Sequence, residues 1–120
     1  MNQSTQSTTN IDLSIVIPTW NEERRLPVTL AKIRRFQDEF EGRIEVLIAD
    51  DGSDDSTPEM ERYRDYGLNI RVVASGIRRG PGNAVRRGVL LGLRRRRRRR
   101  HRLLLLDVRV VGLALLDVPP

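Results

Sequence analysis

Short apolar runs rich in β-branched residues recur along this chain at intervals that no hairpin can span. Leu13–Ile17 reads LSIVI, Ile44–Ala49 reads IEVLIA, Ile70–Ala74 reads IRVVA, and a further apolar run covers Leu103–Leu106. Each has the length of a strand, and LSIVI in particular reads as a strand buried on both faces. Helical signals lie between them. Leu26, Leu30, Ile33, Phe36 and Phe40 fall at steps of three and four, with Pro27 tolerable in a first turn and Gly42 as a stop. Ser56-Thr57-Pro58-Glu59 reads as a helix start with a hydroxyl cap, followed by Met60 and Tyr63 on the apolar face and Gly67 at the end. Ala84–Leu93 reads as a third helix, whose Gly88 and Gly92 permit close packing against a sheet. The order β-α-β-α-β-α-β predicts an α/β domain, a parallel sheet covered by helices and wound by right-handed crossovers.

Ligands of such sheets bind beyond the carboxyl ends of the strands. Here those ends carry PTWNEE, DDGSDD, SGIRRGPGN and Asp107, so the unusual polar chemistry gathers on one edge. Trp20, the sole tryptophan, either stacks on a nucleobase or packs as a half-buried ring. Asp50 and Asp51 either accept hydrogen bonds from a base or ribose or close a turn, and Asp54 and Asp55 fit the turn reading better. Calcium is the weaker option, because the spacing is not that of an EF-hand loop. Arg78 and Arg79 precede a helix start, where a diphosphate finds both guanidinium groups and free backbone N–H groups, and a solvated basic loop is the alternative. The glycines follow the third strand rather than the first, and Val85 stands at the last glycine position, so the dinucleotide fingerprint is missing.

Composition narrows the chemistry. With no cysteine and only His101, there is no disulfide framework, thiolate nucleophile or zinc site built from these residues. The polar opening MNQSTQSTTN carries no apolar stretch for a signal peptide, and the run after Leu103 is broken by Asp107, Arg109 and Asp117. A cytoplasmic location, with a peripheral membrane one as the alternative, is the expectation. The net charge of +6 is unevenly placed: residues 1–93 hold 13 basic and 14 acidic side chains, and residues 94–120 hold nine and two. The domain itself therefore has no basic excess, and no specific nucleic-acid partner is expected.

Three segments also resemble family-2 glycosyltransferases. Ser14–Glu23 (SIVIPTWNEE) is similar to the family's opening strand and loop, Asp50–Thr57 (DDGSDDST) to its D-D-G-S-x-D-x-T segment, and Arg79–Gly88 (RGPGNAVRRG) to its glycine-rich stretch and following helix. The resemblance covers about residues 13–93. The run LPVTL at Leu26–Leu30 leans toward the polyprenyl- or dolichyl-phosphate sugar synthases. It implies a Rossmann-like GT-A domain that binds a UDP- or GDP-sugar and transfers a hexose with inversion to an acceptor such as a lipid phosphate. By the same resemblance, Trp20 lies against the base, Pro18 and Glu22 line the pocket, Asp51 bonds the base or ribose, and Arg79 stands near the nucleotide. The family's Mg²⁺ or Mn²⁺ is held by a D-x-D segment after the fourth strand. Asp107 takes the first acidic position here, and Arg109 stands at the second.

Three segments are expected: a polar leader over 1–12, the nucleotide-binding domain over 13–93 and an Arg-rich tail over 94–120. Seven consecutive arginines, Arg94–Arg100, precede His101 and Arg102. This run has three readings: a patch for nucleic acid or anionic surfaces, a solvated self-repelling segment, or the product of a shifted reading frame or degraded gene end. On the last reading the chain is an incomplete GT-A sheet with impaired transfer, and on the first it is a non-catalytic basic binding module.

Overall fold

The structure is a computed structural model that describes residues 11–94 and 101–108. In chain order the elements are β1 (Leu13–Thr19), α1 (Leu26–Glu39), β2 (Ile44–Asp50), a 3-10 helix (Met60–Tyr66), β3 (Asn69–Ala74), α2 (Pro81–Arg94) and β4 (Arg102–Leu105). The four strands form one sheet, parallel as the sequence pattern predicts, with the order β3-β2-β1-β4.

The period of two along each strand sorts the core into two layers. Leu13, Ile15 and Ile17 of β1, with Ile44, Val46 and Ile48 of β2, face Leu26, Leu30 and Ile33 of α1 and Tyr63 of the 3-10 helix. Val16 of β1, with Leu47 and Ala49 of β2, faces Ala84 and Leu91 of α2. The central strands are thus apolar on both faces, which is why they read as continuous runs. Full burial of each such side chain is worth about 1.5–3 kcal/mol, so these two layers dominate the stability. The chain steps from β1 to β2 to β3 in one direction across the sheet and then returns past β1 to β4. With a constant crossover hand, that reversal moves the connecting helix to the opposite face, where α2 lies.

Two elements differ from the sequence expectation. The segment after Pro58 forms a 3-10 helix, and its N-terminus has no side-chain cap. The Thr57 hydroxyl expected to cap it donates instead to Asp55 and accepts from the Glu22 N–H. β1 also runs past Pro18 to Thr19. Pro18 lies two residues beyond Val16, whose carbonyl accepts from Leu106 at the end of β4, so its missing N–H points where β4 has already stopped.

At the amino end of the sheet, Ser14 Oγ donates to Glu45 Oε2 at 3.0 Å and lies 2.8 Å from His101 Nε2. Burial pushes the Glu45 carboxyl above its ordinary range, offset in part by the Ser14 hydroxyl and the Arg71 charge. No helix among the described residues is long and apolar enough to cross a membrane.

Gly88 sets how closely α2 approaches the sheet. A Cβ there would stand 2.5 Å from Val16 Cγ1 and 3.1 Å from Ala49 Cβ. Gly88→Ala is therefore expected to destabilise by about 1–3 kcal/mol through overpacking, against a helix-propensity gain of about 1 kcal/mol. Gly82→Ala, in the same helix with open space around it, is expected to stabilise by about 0.5–1 kcal/mol. Thermal unfolding of the two variants checks this, and a raised midpoint for Gly88→Ala would contradict the close packing.

Candidate functional site

The parallel register brings Thr19, Asp50 and Ala74 into one row at the carboxyl end of the sheet. The loops that leave this row carry the polar residues singled out in the sequence. The two adjacent aspartates take opposite roles. Asp50 is fully buried and turns into the fold, where its carboxylate accepts from Thr19 Oγ1 at 2.9 Å, the Ser53 N–H at 2.8 Å and Ser53 Oγ at 2.5 Å. Asp51 turns toward the loop after β3. Its Oδ1 accepts from the Arg79 N–H at 2.7 Å and the Gly80 N–H at 3.1 Å, and Arg78 Nε lies 3.8 Å from its Oδ2.

Arg78 also lies over the Trp20 ring, with its guanidinium carbon 3.8 Å from the ring centroid. Ring, guanidinium and carboxylate therefore form one stack at the sheet edge, and Trp20 keeps 37% of its surface exposed. The corner brings together a flat ring whose face Arg78 covers, a cation and the buried Asp51 carboxylate, groups that match a nucleotide's base, phosphates and N–H groups. The backbone comes close beneath it. Gly52 has φ +70°, and a Cβ on it would stand 2.3 Å from the Ile77 carbonyl carbon. Arg87 of α2 secures the same corner by donating from its Nη2 to the Asp50 carbonyl at 3.0 Å.

A second set of contacts ties the loop after β1 to the turn after β2. Asn21, held at φ 53°, donates its N–H to Ser53 Oγ and accepts from the Asp54 N–H. Asparagine tolerates this left-handed conformation better than other residues with side chains. The Glu22 N–H donates to Thr57 Oγ1 at 2.9 Å, and the Glu23 N–H donates to Asp55 Oδ2 at 3.4 Å. Burial pushes the Asp55 carboxyl up, but the Thr57 hydroxyl, the Thr57 and Glu23 N–H groups and the Arg62 charge outweigh it and hold the group below its ordinary range. Tyr63 donates its hydroxyl to the Thr57 carbonyl; burial, against the opposing Arg62 charge, raises its phenol to about 12.

Residues 14–91 match the family model for glycosyl transferase family 2. The chain belongs to glycosyltransferase family 2. Among family-2 relatives, it is 36% identical over 85 residues to a mouse dolichyl-phosphate β-glucosyltransferase, covering 64% of this chain and 26% of that protein. It is 42% identical over 79 residues to a dolichyl-phosphate hexose transferase of Haloferax volcanii, covering 66% of this chain and 31% of that one. Among solved structures, S. aureus TarS 1–349 in complex with UDP superposes with a TM-score of 0.65 at 26% identity, covering 82% of this chain and 27% of that one. The same fragment has also been solved with UDP-GlcNAc. These matches agree with the Rossmann-like GT-A sheet implied by the three family-2 segments. The chain spans about a quarter of the length of the curated relatives it matches.

Of the residues that the family-2 resemblance singled out, the structure brings Trp20 and Asp51 to one stack. Pro18 is half-buried one residue before the end of β1, paired with Ala49 of β2. Arg79 gives Asp51 its backbone N–H, while its side chain is exposed and the guanidinium at the stack belongs to Arg78. Glu22 is buried and pairs with Arg25, with its Oε1 at 3.0 Å from Arg25 Nε, in the loop junction rather than at the stack. Asp107 follows β4 at the same edge, half-buried, and Arg109 lies outside the described residues. Among the described residues no three His, Cys, Asp or Glu side chains gather to hold a metal. One carboxylate with an arginine two positions later in the sequence does not fit a divalent cation. Residues 95–100 of the arginine run also lie outside the described residues.

Proposed function

We propose that residues 13–93 bind a nucleoside-diphosphate sugar, UDP- or GDP-linked, for inverting hexose transfer to a polyprenyl phosphate. The observation that carries this reading is the stack at the carboxyl edge, with Arg78 at 3.8 Å from both Trp20 and Asp51. The base takes the Trp20 face that Arg78 covers, which releases the guanidinium to the diphosphate. Asp51 accepts from a base N–H or a ribose hydroxyl. The complexes of TarS with UDP and UDP-GlcNAc support a uridine donor, and the dolichyl-phosphate relatives support the acceptor class.

In the transfer, an acceptor phosphate oxygen attacks the anomeric carbon from the face opposite the diphosphate. The bond from that carbon to the donor's phosphate oxygen breaks, and the nucleoside diphosphate leaves with the negative charge. Arg78 and Arg79, in the loop after β3, are the cations that would meet that charge at the sheet edge. With Arg109 where a second acid would help hold a metal, we propose that nucleotide binding is metal-independent and transfer is weak.

Calorimetric titration of the full chain with UDP, GDP and their common sugar conjugates, with and without Mn²⁺, tests this. One nucleotide series is expected to bind, with Mn²⁺ changing Kd by less than about threefold, under 1 kcal/mol. Tightening by tenfold or more would contradict metal-independent binding, and a folded chain that binds neither series would sink the nucleotide reading.

A further inference from the structure

We infer that Thr57 and Asp55 are positioning residues for the pocket: their hydrogen bonds set the Trp20-bearing loop against the Asp51-bearing turn. This rests on reading the sheet edge as a nucleotide site, although the placement of Trp20 is testable without any nucleotide.

Beyond the Asp51 N–H bond to the Thr19 carbonyl at 2.9 Å, no strand pairing holds the two loops, because β1 and β2 end at Thr19 and Asp50. Beside the Asn21 bonds to Ser53 and Asp54, a chain of hydrogen bonds with Thr57 at its centre joins them. The Thr57 hydroxyl, fully buried, donates to Asp55 Oδ1 and accepts from the Glu22 N–H, two residues past Trp20. Asp55 also accepts from the Thr57 N–H at 2.9 Å and from the Glu23 N–H at 3.4 Å. Glu23 returns the contact by accepting from the Ser56 N–H at 3.1 Å and Ser56 Oγ at 3.2 Å. Arg62 closes the ring, donating to the Glu23 carbonyl at 2.8 Å and to Ser56 Oγ at 2.5 Å. Behind it, Tyr63 fixes the Thr57 carbonyl.

A loop held at one end by β1 and at the other by α1 still has freedom along its length. The bonds from Asn21, Glu22 and Glu23 remove that freedom directly after Trp20. A stacking ring is useful only when its plane is fixed, since a displacement of about 1 Å forfeits much of the contact energy. The staple touches neither Trp20 nor Asp51, so its effect on a nucleotide is indirect, through the angle and height of the ring. It also explains why an aspartate and a threonine two residues apart stand so near a glycine turn: the pair supplies the acceptors for three backbone N–H groups that have no ladder partners.

The test uses the full chain, with Trp20 as the sole fluorophore of its kind. Thr57→Val keeps the shape and removes the hydroxyl, and Thr57→Ser keeps the hydroxyl. Ile33→Val, a core change under α1, serves as a control that lowers stability without touching the loops. Acrylamide quenching of ligand-free Trp20 is expected to rise at least about twofold in Thr57→Val, to stay at the wild-type value in Thr57→Ser and Ile33→Val, and UDP affinity is expected to fall about tenfold in Thr57→Val alone. Folding of each variant is checked by far-ultraviolet circular dichroism. Folded Thr57→Val with unchanged quenching and unchanged UDP affinity would overturn the inference, as would failure of serine to restore both. If Thr57→Val does not fold, Asp55→Asn replaces it, with the same expected and overturning results. If the wild type binds no UDP, the nucleotide reading fails by itself, and the quenching comparison alone decides whether the pair positions Trp20.

Discussion

Gly52→Ala is expected to remove nucleotide binding and to lower the unfolding free energy by about 2–5 kcal/mol. Two causes add. The residue sits at φ +70°, which costs a side-chain-bearing residue about 1–2 kcal/mol. A Cβ would also stand 2.3 Å from the Ile77 carbonyl carbon and 2.4 Å from the Arg78 nitrogen, and these are backbone atoms that cannot swing aside. The 77–80 loop must lift, and the bonds from the Arg79 and Gly80 N–H groups to Asp51 are lost, at about 0.5–1.5 kcal/mol each. Arg78 leaves Trp20 with it. For a domain of this size each kcal/mol moves the unfolding midpoint by about 4–8 °C, so a fall of roughly 8–40 °C is expected. Thermal unfolding and UDP titration check the pair of effects. A variant that keeps the wild-type midpoint would show that the loop does not rest on Gly52.

Asp51→Ala is expected to weaken nucleotide binding by tenfold or more, while Asp50→Ala acts chiefly on stability. A hydrogen bond to a charged group is worth about 1.5–3 kcal/mol, which corresponds to roughly 10- to 150-fold in affinity. Asp51 is the acceptor aimed at the loop and the stack; removing it also frees Arg78 and leaves two backbone donors without their acceptor. Asp50 is buried against Thr19 and Ser53, so its loss leaves those donors unsatisfied inside the fold, at about 1–3 kcal/mol. Calorimetry and thermal unfolding of both variants separate the two roles. Equal loss of affinity at equal stability would contradict the division.

The fold was legible because its evidence is periodic. The apolar runs, the stripe from Leu26 to Phe40 and the long connections all pointed to a parallel sheet, and the sheet is there. α2 begins at Pro81, earlier than the Ala84 start read from the sequence, because proline is at home in a first turn and the glycine beside it masked the signal. The chemistry was less legible. Adjacent residues such as Asp50 and Asp51, or Arg78 and Arg79, carry the same side chain, and only the turn decides which one faces the site. Glu22 was expected to line the pocket; its neighbours Thr57 and Arg25 are distant in the sequence or hidden in a charged run, and they draw it into the loop junction. Asn21, Arg62 and Arg87 went unassigned, and Thr57 was read as a helix cap, because each has a partner roughly 30 or more residues away in the sequence. The dense turn at Asp54 and Asp55 was read as capping, and Asp55 does cap the Thr57 and Glu23 N–H groups.

Stacking of the proposed nucleotide on Trp20 at the carboxyl edge of the sheet carries the functional reading. Its most direct measurement is Trp20 fluorescence of the full chain during titration with UDP and with GDP, beside the same titration of Asp51→Ala. Saturable quenching by one nucleotide, shifted to at least tenfold higher concentration in Asp51→Ala, is the predicted result. Binding detected by calorimetry with no change in Trp20 emission would place the nucleotide elsewhere and contradict the account.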